Sequence, residues 1–169
     1  YFDNHANLIK FFLKSPPSLV FNLCDEGFNN RATQELHICA LLEMLNIPYT
    51  GAGPGCLAIC YDKSLTRAIA QALEIPVPDE IWIDPSNSSA AIPNSFPVIL
   101  KPSSGDSSIG ITQHAVVNDA EQLVNYYDWL KSLLPNIPIL IQEFLSGDEY
   151  SVGIIGNPSN FEILPILEV

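Results

Sequence analysis

The stretch Phe96-Pro97-Val98-Ile99-Leu100-Lys101-Pro102-Ser103-Ser104-Gly105-Asp106-Ser107-Ser108-Ile109-Gly110-Ile111 reads as a buried strand ending in a lysine, a hairpin of small residues, and a second strand. Pro97-Val98-Ile99-Leu100 is a short apolar run with β-branched residues, and Pro102 stops it. Residues 103–110 hold four serines, two glycines and an aspartate. Such a loop costs little steric strain and exposes many backbone N–H and hydroxyl donors. Donors of that kind suit a polyphosphate, and Lys101 adds a point charge. The same pattern is also that of an ordinary mobile hairpin with a solvated lysine.

The rest of the composition narrows what such a loop could serve. The chain of 169 residues is 47% hydrophobic, enough for a sizeable core in one domain or two small ones. No apolar run approaches the roughly 18 residues of a membrane span, and no secretory signal is visible at the start. A net charge of −12 argues against nucleic acid as a partner. It also repels a polyphosphate at long range, but screening beyond about 8 Å leaves local geometry in control. Of only seven Lys and Arg residues, Lys63 and Lys101 fall inside motifs. Cys24, Cys39, Cys56 and Cys60 form no CxxC or zinc spacing and are expected as small buried hydrophobes in a reducing, cytoplasmic setting, with Cys24 set apart because it lies in a loop with function-like neighbours.

Along the chain, residues 4–14 read as a short helix ended by Ser15-Pro16-Pro17, and residues 19–23 as a strand. Residues 24–30 form the loop at the carboxyl end of that strand, where ligands gather in open α/β sheets. A helix with one apolar face is expected over residues 33–46, then a short extended run over 47–50 and a turn over 51–55. Residues 62–73 form the next helix, with Asp62 as its cap and Leu65, Ala68, Ile69, Ala72 and Leu73 as its inner face. Lys63 in its first turn sits at the positive end of the helix, a placement that a bound polyanion would compensate; a solvated surface lysine is the plain alternative. Ile81-Trp82-Ile83 is a strand, and residues 84–94 a polar connector. Asn118 is expected to cap a helix with Glu121 three residues on, and Ala120, Leu123, Val124, Tyr127 and Leu130 to face inward, its aromatics serving as core. Residues 138–145 form a strand. Tyr150, Val152 and Ile154 alternate in an antiparallel strand, and residues 161–169 form a last apolar one.

The Lys101 stretch resembles the phosphate loop of ATP-grasp ligases, in particular the D-alanine–D-alanine ligase group, whose pattern is Val-Ile-Val-Lys-Pro-Ser followed by Ser-Ser and Val-Gly. Lys101, Ser107, Ser108 and Gly110 fall at the matching places. Leu42-Glu43-Met44-Leu45-Asn46-Ile47-Pro48-Tyr49-Thr50-Gly51 is similar to the group's leucine-rich helix and Gly-Ile-Pro-Tyr-Thr-Gly turn, with Asn46 in place of the usual glycine. Asp62-Lys63, Ile75-Pro76-Val77-Pro78, and Gln142-Glu143-Phe144-Leu145 with Gly147 and Glu149 also match in order. The Asn22–Phe28 loop departs from the group's His-Gly…Gly-Glu-Asp-Gly pattern, which fits a divergent branch.

The resemblance, over residues 18–169, implies an α/β fold: a partial Rossmann-like domain (residues 1–56), an ATP-grasp N-terminal subdomain of antiparallel sheet and helices (57–145), and the start of a C-terminal subdomain (146–169). It implies an ATP-dependent carboxylate–amine ligase that activates an amino acid or related acid as an acyl-phosphate, with an amine completing the amide bond. Lys63, Lys101, Ser107 and Ser108 would hold the phosphates, the two serines as catalytic loop residues. Gln142, Glu143 and Leu145 would flank the adenine. Glu149 would accept from the ribose hydroxyls, a role its carboxylate suits, although a solvated hairpin acid has the same sequence. Glu26 is a candidate substrate contact. The family's magnesium ligands, an Asp and a Glu-x-Asn pair, are expected beyond Val169. The chain is thus expected to be an internal piece, inactive alone. The alternatives are a fragment acting as a binding or homodimerising module through its open final strand, and a ligase of another ATP-grasp branch.

Overall fold

In the computed structural model, which describes residues 2, 4–86, 91–105 and 108–169, the Lys101 stretch opens into the central strand pair of a four-stranded antiparallel sheet. Its strands are β1 (Glu80–Ile83), β2 (Val98–Pro102), β3 (Val116–Val117) and β4 (Ile139–Glu143), in spatial order β1-β4-β2-β3. Pro102 does not stop β2 but is its last paired residue, opposite Ile139. The loop after it is longer than expected, since the second strand begins only at Val116, opposite Ile99.

Pleating puts alternate residues on opposite faces. Val98 and Leu100 of β2, Ile139 and Ile141 of β4, and Ile83 of β1 bury one face against helix α5 (Ala120–Leu133), from which Leu123, Tyr126, Tyr127 and Leu130 project into the same core. The registers Ile99↔Gln142, Lys101↔Leu140, Glu80↔Gln142 and Trp82↔Leu140 put Lys101, Gln142 and Glu80 together on the other face.

Helix α5 is capped one residue later than the sequence reading placed it. Asp119 accepts from the Gln122 N–H at 2.8 Å, and Gln122 Oε1 accepts from the Asn118 N–H at 3.1 Å, a reciprocal pair that satisfies two terminal donors. The inward face turns with it. Tyr126 is buried, while Ala120 and Val124 are exposed. Trp129, expected in the core with the other aromatics, is 41% exposed and tilts against Tyr126 at 5.0 Å between centroids.

The amino-terminal part is built on helices α1 (His5–Lys14), α2 (Leu36–Met44), α3 (Pro54–Cys60) and α4 (Lys63–Ala72). Phe12 of α1, Ile38 and Leu42 of α2, and Ile47 form a second small core. Asn46 adopts φ +55°, and the N–H groups of Asn46 and Ile47 close back on Glu43 and Leu42, the left-handed C-terminal cap that an asparagine tolerates. The strand expected over residues 19–23 is only a parallel bridge, Val20 against Tyr49. The turn expected over residues 51–55 is instead the lead into α3, with Pro54 at its first position, where a missing N–H costs nothing.

The apolar stripe of α4 does not face inward as its periodicity suggested. Leu65, Ile69 and Leu73 are exposed, and Ala68 and Ala72 lie beside them. The inner contacts are polar: Ser64 donates to Glu80 at 2.8 Å, and the Arg67 guanidinium donates to the Pro78 carbonyl at 2.7 Å. After β4, the expected strand through Tyr150, Val152 and Ile154 divides into β5 (Tyr150–Ser151) and β6 (Ile154–Asn157). The final apolar run divides likewise into β7 (Asn160–Ile163) and β8 (Leu167–Glu168), with β5 paired to β8 and β6 to β7. Part of the polar connector, residues 87–90, lies outside the described residues. No helix among the described residues is long and apolar enough to cross a membrane.

Candidate functional site

The loop after β2 is fastened on both sides. On the first side it zips onto the start of α4: Asp62 and Ser104 form an antiparallel bridge, the Lys63 N–H donates to the Ser103 carbonyl at 2.8 Å, and the Lys63 ammonium donates to the Gly105 carbonyl at 2.5 Å. On the second side the buried Tyr126 hydroxyl donates to the Gly110 carbonyl at 3.0 Å and lies 3.1 Å from the Thr112 N–H. Gly110 takes φ +73°, and a Cβ there would come within 2.7 Å of Leu130, so the loop's return passes directly over the α5 core. Between these anchors Ser108 is exposed at φ +57°. Ser107 and Asp106 lie outside the described residues.

Lys101 stands at the entrance to this loop, half-buried on the sheet face opposite α5. Burial pushes its ammonium below the ordinary lysine value, and the like charge of Lys63 adds to that, while the Glu80 carboxylate opposes it. Two cations are thus held close beside a loop of small residues. Such an arrangement gains from an anion that offsets the repulsion and restores to Lys101 the charge partner that burial demands.

Glu80, which carries no sequence motif, ties the floor of the site together. One carboxylate oxygen accepts from Ser64 at 2.8 Å and the other from the Gln142 amide at 2.5 Å. Gln142 is 6% exposed. Lys101 and Gln142 therefore lie about Glu80, and Lys63 lies beside Lys101. The other candidates lie further along the chain's exposed edges. Glu143 ends β4 and meets the Asp79 backbone, accepting from the Asp79 N–H at 3.4 Å. Leu145 is 63% exposed after β4, Glu149 is exposed before β5, and Glu26 is exposed in the amino-terminal loop.

A cleft of about 280 Å³ is lined by Arg67, Asp79, Glu80, Asn94 and Glu143 among others, and touches neither Lys63 nor Lys101. Among the described residues no three His, Cys, Asp or Glu side chains gather as metal ligands.

Residues 60–168 match the model of the ATP-grasp domain, which spans α4, the four-stranded sheet, α5 and the loop between Lys101 and Gly110. The chain belongs to the ATP-grasp family. A D-alanine–D-alanine ligase of Halalkalibacterium halodurans is 29% identical over 170 residues, covering 99% of this chain and 53% of the relative. That of Aquifex aeolicus is 34% identical over 144 residues, covering 85% of this chain and 46% of the relative. The crystal structure of the Helicobacter pylori D-alanine–D-alanine ligase superposes with a TM-score of 0.64 at 25% identity, over 78% of this chain and 42% of that one. The chain spans about half the length of the curated relatives it matches. As an ATP-grasp protein it has the mixed α/β architecture and the ligase relationship that the sequence implied. Ser64, Glu80 and Tyr126 escaped the sequence reading, because none sits in a motif and their roles depend on pairing register and helix phase.

Proposed function

We propose that this ATP-grasp chain forms the nucleotide-holding part of an ATP-dependent carboxylate–amine ligase of the D-alanine–D-alanine ligase type, which activates an amino acid carboxylate as an acyl-phosphate and closes an amide bond. The observation that carries the reading is the pair of ammonium groups, Lys63 and Lys101, set beside the loop that runs from Ser103 to Gly110, with Lys101 half-buried beside a like charge. In this reading the two lysines hold the polyphosphate, and Ser107 and Ser108 add donors to the phosphoryl group being transferred. Positions Gln142, Glu143 and Leu145 border the base, Glu149 accepts from the ribose, and Glu26 meets the amino acid. Residues 1–56, 57–145 and 146–169 serve as a substrate-side domain, the first half of the nucleotide clamp and the beginning of its second half. Magnesium would offset the charge of the phosphates, and its ligands would come from outside these residues.

The Asn22–Phe28 loop favours substrates other than the dipeptide. Asn22 is occupied internally, its amide donating to Cys39 at 3.3 Å and its oxygen accepting from the Cys24 N–H at 3.2 Å. A ligase joining a different acid and amine is therefore the second reading, and a substrate screen of ATP-dependent phosphate release separates the two.

The nucleotide reading is tested by thermal unfolding with and without MgATP. Ligand at about 100 times its dissociation constant adds roughly 2.7 kcal/mol, which at this chain length raises Tm by about 5–10 °C. An unchanged Tm at millimolar MgATP, together with no calorimetric binding, would sink it.

A further inference from the structure

Helix α3 carries two exposed thiols on one face. Cys56 and Cys60 stand four residues apart, which on a helix sets one side chain above the other. Their sulfurs lie 3.8 Å apart and share a hydrogen bond. The spacing carries no meaning in a turn; only the helix that Pro54 opens brings the pair together. The N–H groups of Leu57 and Tyr61 donate to the carbonyls of Gly53 and Leu57 at 3.1 Å and keep the turn that spaces the two thiols. Geometry separates two uses of this closeness. A disulfide needs its Cβ atoms about 3.5–4.5 Å apart, whereas positions four apart on a helix hold them at about 5–6 Å. Oxidation therefore has to unwind α3. An ion between the sulfurs requires no such movement. Two thiolates on one tetrahedral ion at about 2.3 Å stand about 3.8 Å from each other, the separation already present.

We propose that Cys56 and Cys60 form a two-thiolate site for a soft d10 divalent cation of the zinc and cadmium kind. The site lies outside the nucleotide machinery and does not rest on that reading. Thiolate sulfur selects such ions over magnesium, which takes oxygen ligands. On loading, both S–H bonds break, both protons pass to the buffer and two sulfur–metal bonds form, with no change of oxidation state. Two thiolates balance the charge of the ion, and the chain's net charge of −12 draws cations to its surface. Among the described residues no third His, Cys, Asp or Glu joins the pair. Water or a small external ligand therefore fills the remaining positions. That makes the site open and exchangeable, in contrast to the closed four-ligand sites that hold a fold together.

Cd2+ alone is the probe, because thiolate-to-cadmium charge transfer gives an ultraviolet band that histidine and carboxylate complexes lack. The whole chain is titrated after reduction with a phosphine, which leaves no competing thiol, beside Cys56→Ser, Cys60→Ser and Cys24→Ser. The two α3 substitutions fall on exposed positions and exchange a single atom, so the fold is kept. The parent is expected to bind one ion per chain with the charge-transfer band. Losing a direct ligand costs at least what losing an outer-shell partner does, so each α3 variant is expected to lose about 10–100-fold in affinity. Cys24→Ser leaves the α3 pair intact and is expected to bind as the parent does. A parent without the band overturns the proposal. So does a fall of less than about tenfold in either α3 variant. Loss of the band in Cys24→Ser overturns it too, because the ion would then sit in the amino-terminal loop.

Discussion

The ammonium of Lys63, on the first turn of α4, donates to the carbonyl of Gly105 across a gap of 42 residues in the chain. A lysine at this end of a helix opposes the helix dipole, at a cost of about 0.3–1 kcal/mol. The bond to Gly105 offsets that cost, and the backbone pairing of Lys63 with Ser103 brings the loop to the lysine rather than the reverse. Stability and binding should therefore separate in Lys63→Ala. Losing the Gly105 contact and losing the misplaced cation nearly cancel, so Tm should stay within about 3 °C of the parent. MgATP affinity should fall about tenfold to a hundredfold, the 1.5–3 kcal/mol that a hydrogen bond to a charged group contributes. Calorimetric titration of both proteins decides it, and unaltered affinity in a folded Lys63→Ala would remove Lys63 from the site.

Lys101 gives a prediction with a sign in pH. Its folded-state value lies below the ordinary 10.5, first through burial and then through Lys63. The folded protein therefore holds this proton less tightly than the unfolded chain does. Above 10.5 neither state is charged at this position. As pH falls from 10.5 toward the depressed folded value, the unfolded chain takes up this proton while the folded state does not, and stability is lost. Lys101→Met keeps the apolar stem and deletes the charge. At pH 7 the variant should unfold at the same temperature as the parent or higher. The parent's stability relative to the variant should then rise as pH climbs toward 10.5. Over the same change MgATP affinity should drop about a hundredfold, since a partly desolvated cation meeting phosphate contributes on the order of 3 kcal/mol. A variant that is less stable at neutral pH, with an unchanged pH profile, would show that the Lys101 charge is stabilising and not held in reserve for a ligand.

The helix that backs the sheet depends on one cap. Asp119 accepts from the Gln122 N–H, and its second oxygen accepts from the Gln122 amide at 2.9 Å. Asp119→Ala should cost about 1 kcal/mol and lower Tm by about 2–4 °C. Asn118→Ala should change stability by less than about 0.5 kcal/mol, because Asn118 contributes a backbone N–H that alanine keeps. Equal losses in the two variants would put the cap back at Asn118.

The parts of the site legible in the sequence are those where local pattern and tertiary contact agree. Val98 and Leu100 belong to the apolar run that reads as a strand, and their alternation with Ile99 and Lys101 along β2 puts them on the buried face. Helix α4 shows the opposite case. Its apolar stripe through Leu65, Ile69 and Leu73 is a clear 3.6-residue pattern, yet Ser64 and Arg67 face inward because Glu80 and the Pro78 carbonyl hold them there. In α5 a one-residue error in the cap exchanged Val124 for Tyr126, and with it hid the hydroxyl that fastens the loop at Gly110. Glu80 was silent because its meaning comes from standing opposite Gln142, and register between residues 62 apart in sequence has no local signature. Helix α3 was hidden behind Gly51-Ala52-Gly53-Pro54-Gly55, whose turn chemistry is also that of a proline-led helix start.

The cysteines were expected to be buried, Cys24 alone being set apart by its loop, and Cys56 and Cys60 are exposed as well as Cys24. Cys39 has no exposure and sits in α2 beneath the Asn22 amide, while Cys24, Cys56 and Cys60 are exposed. Exposure alone would make all three quick to react with a disulfide reagent, but the thiolate is the reacting form and two of them hold their protons tightly. Burial pushes the Cys24 thiol above the usual 9.0, with Asp25 and Glu35 adding to it. A hydrogen bond with Cys56, whose sulfur lies 3.8 Å away, does the same for Cys60, followed by burial. Titration of the folded protein with Ellman's reagent should therefore count three thiols, with Cys24 and Cys60 slow at pH 7. The rates of Cys24 and Cys60 should still be rising above pH 9. Cys39 should appear only when the protein is unfolded. Four equally fast thiols in the native protein would mean that the α2 core opens on the timescale of the reaction. Fewer than three would mean that the α3 pair is covered in solution.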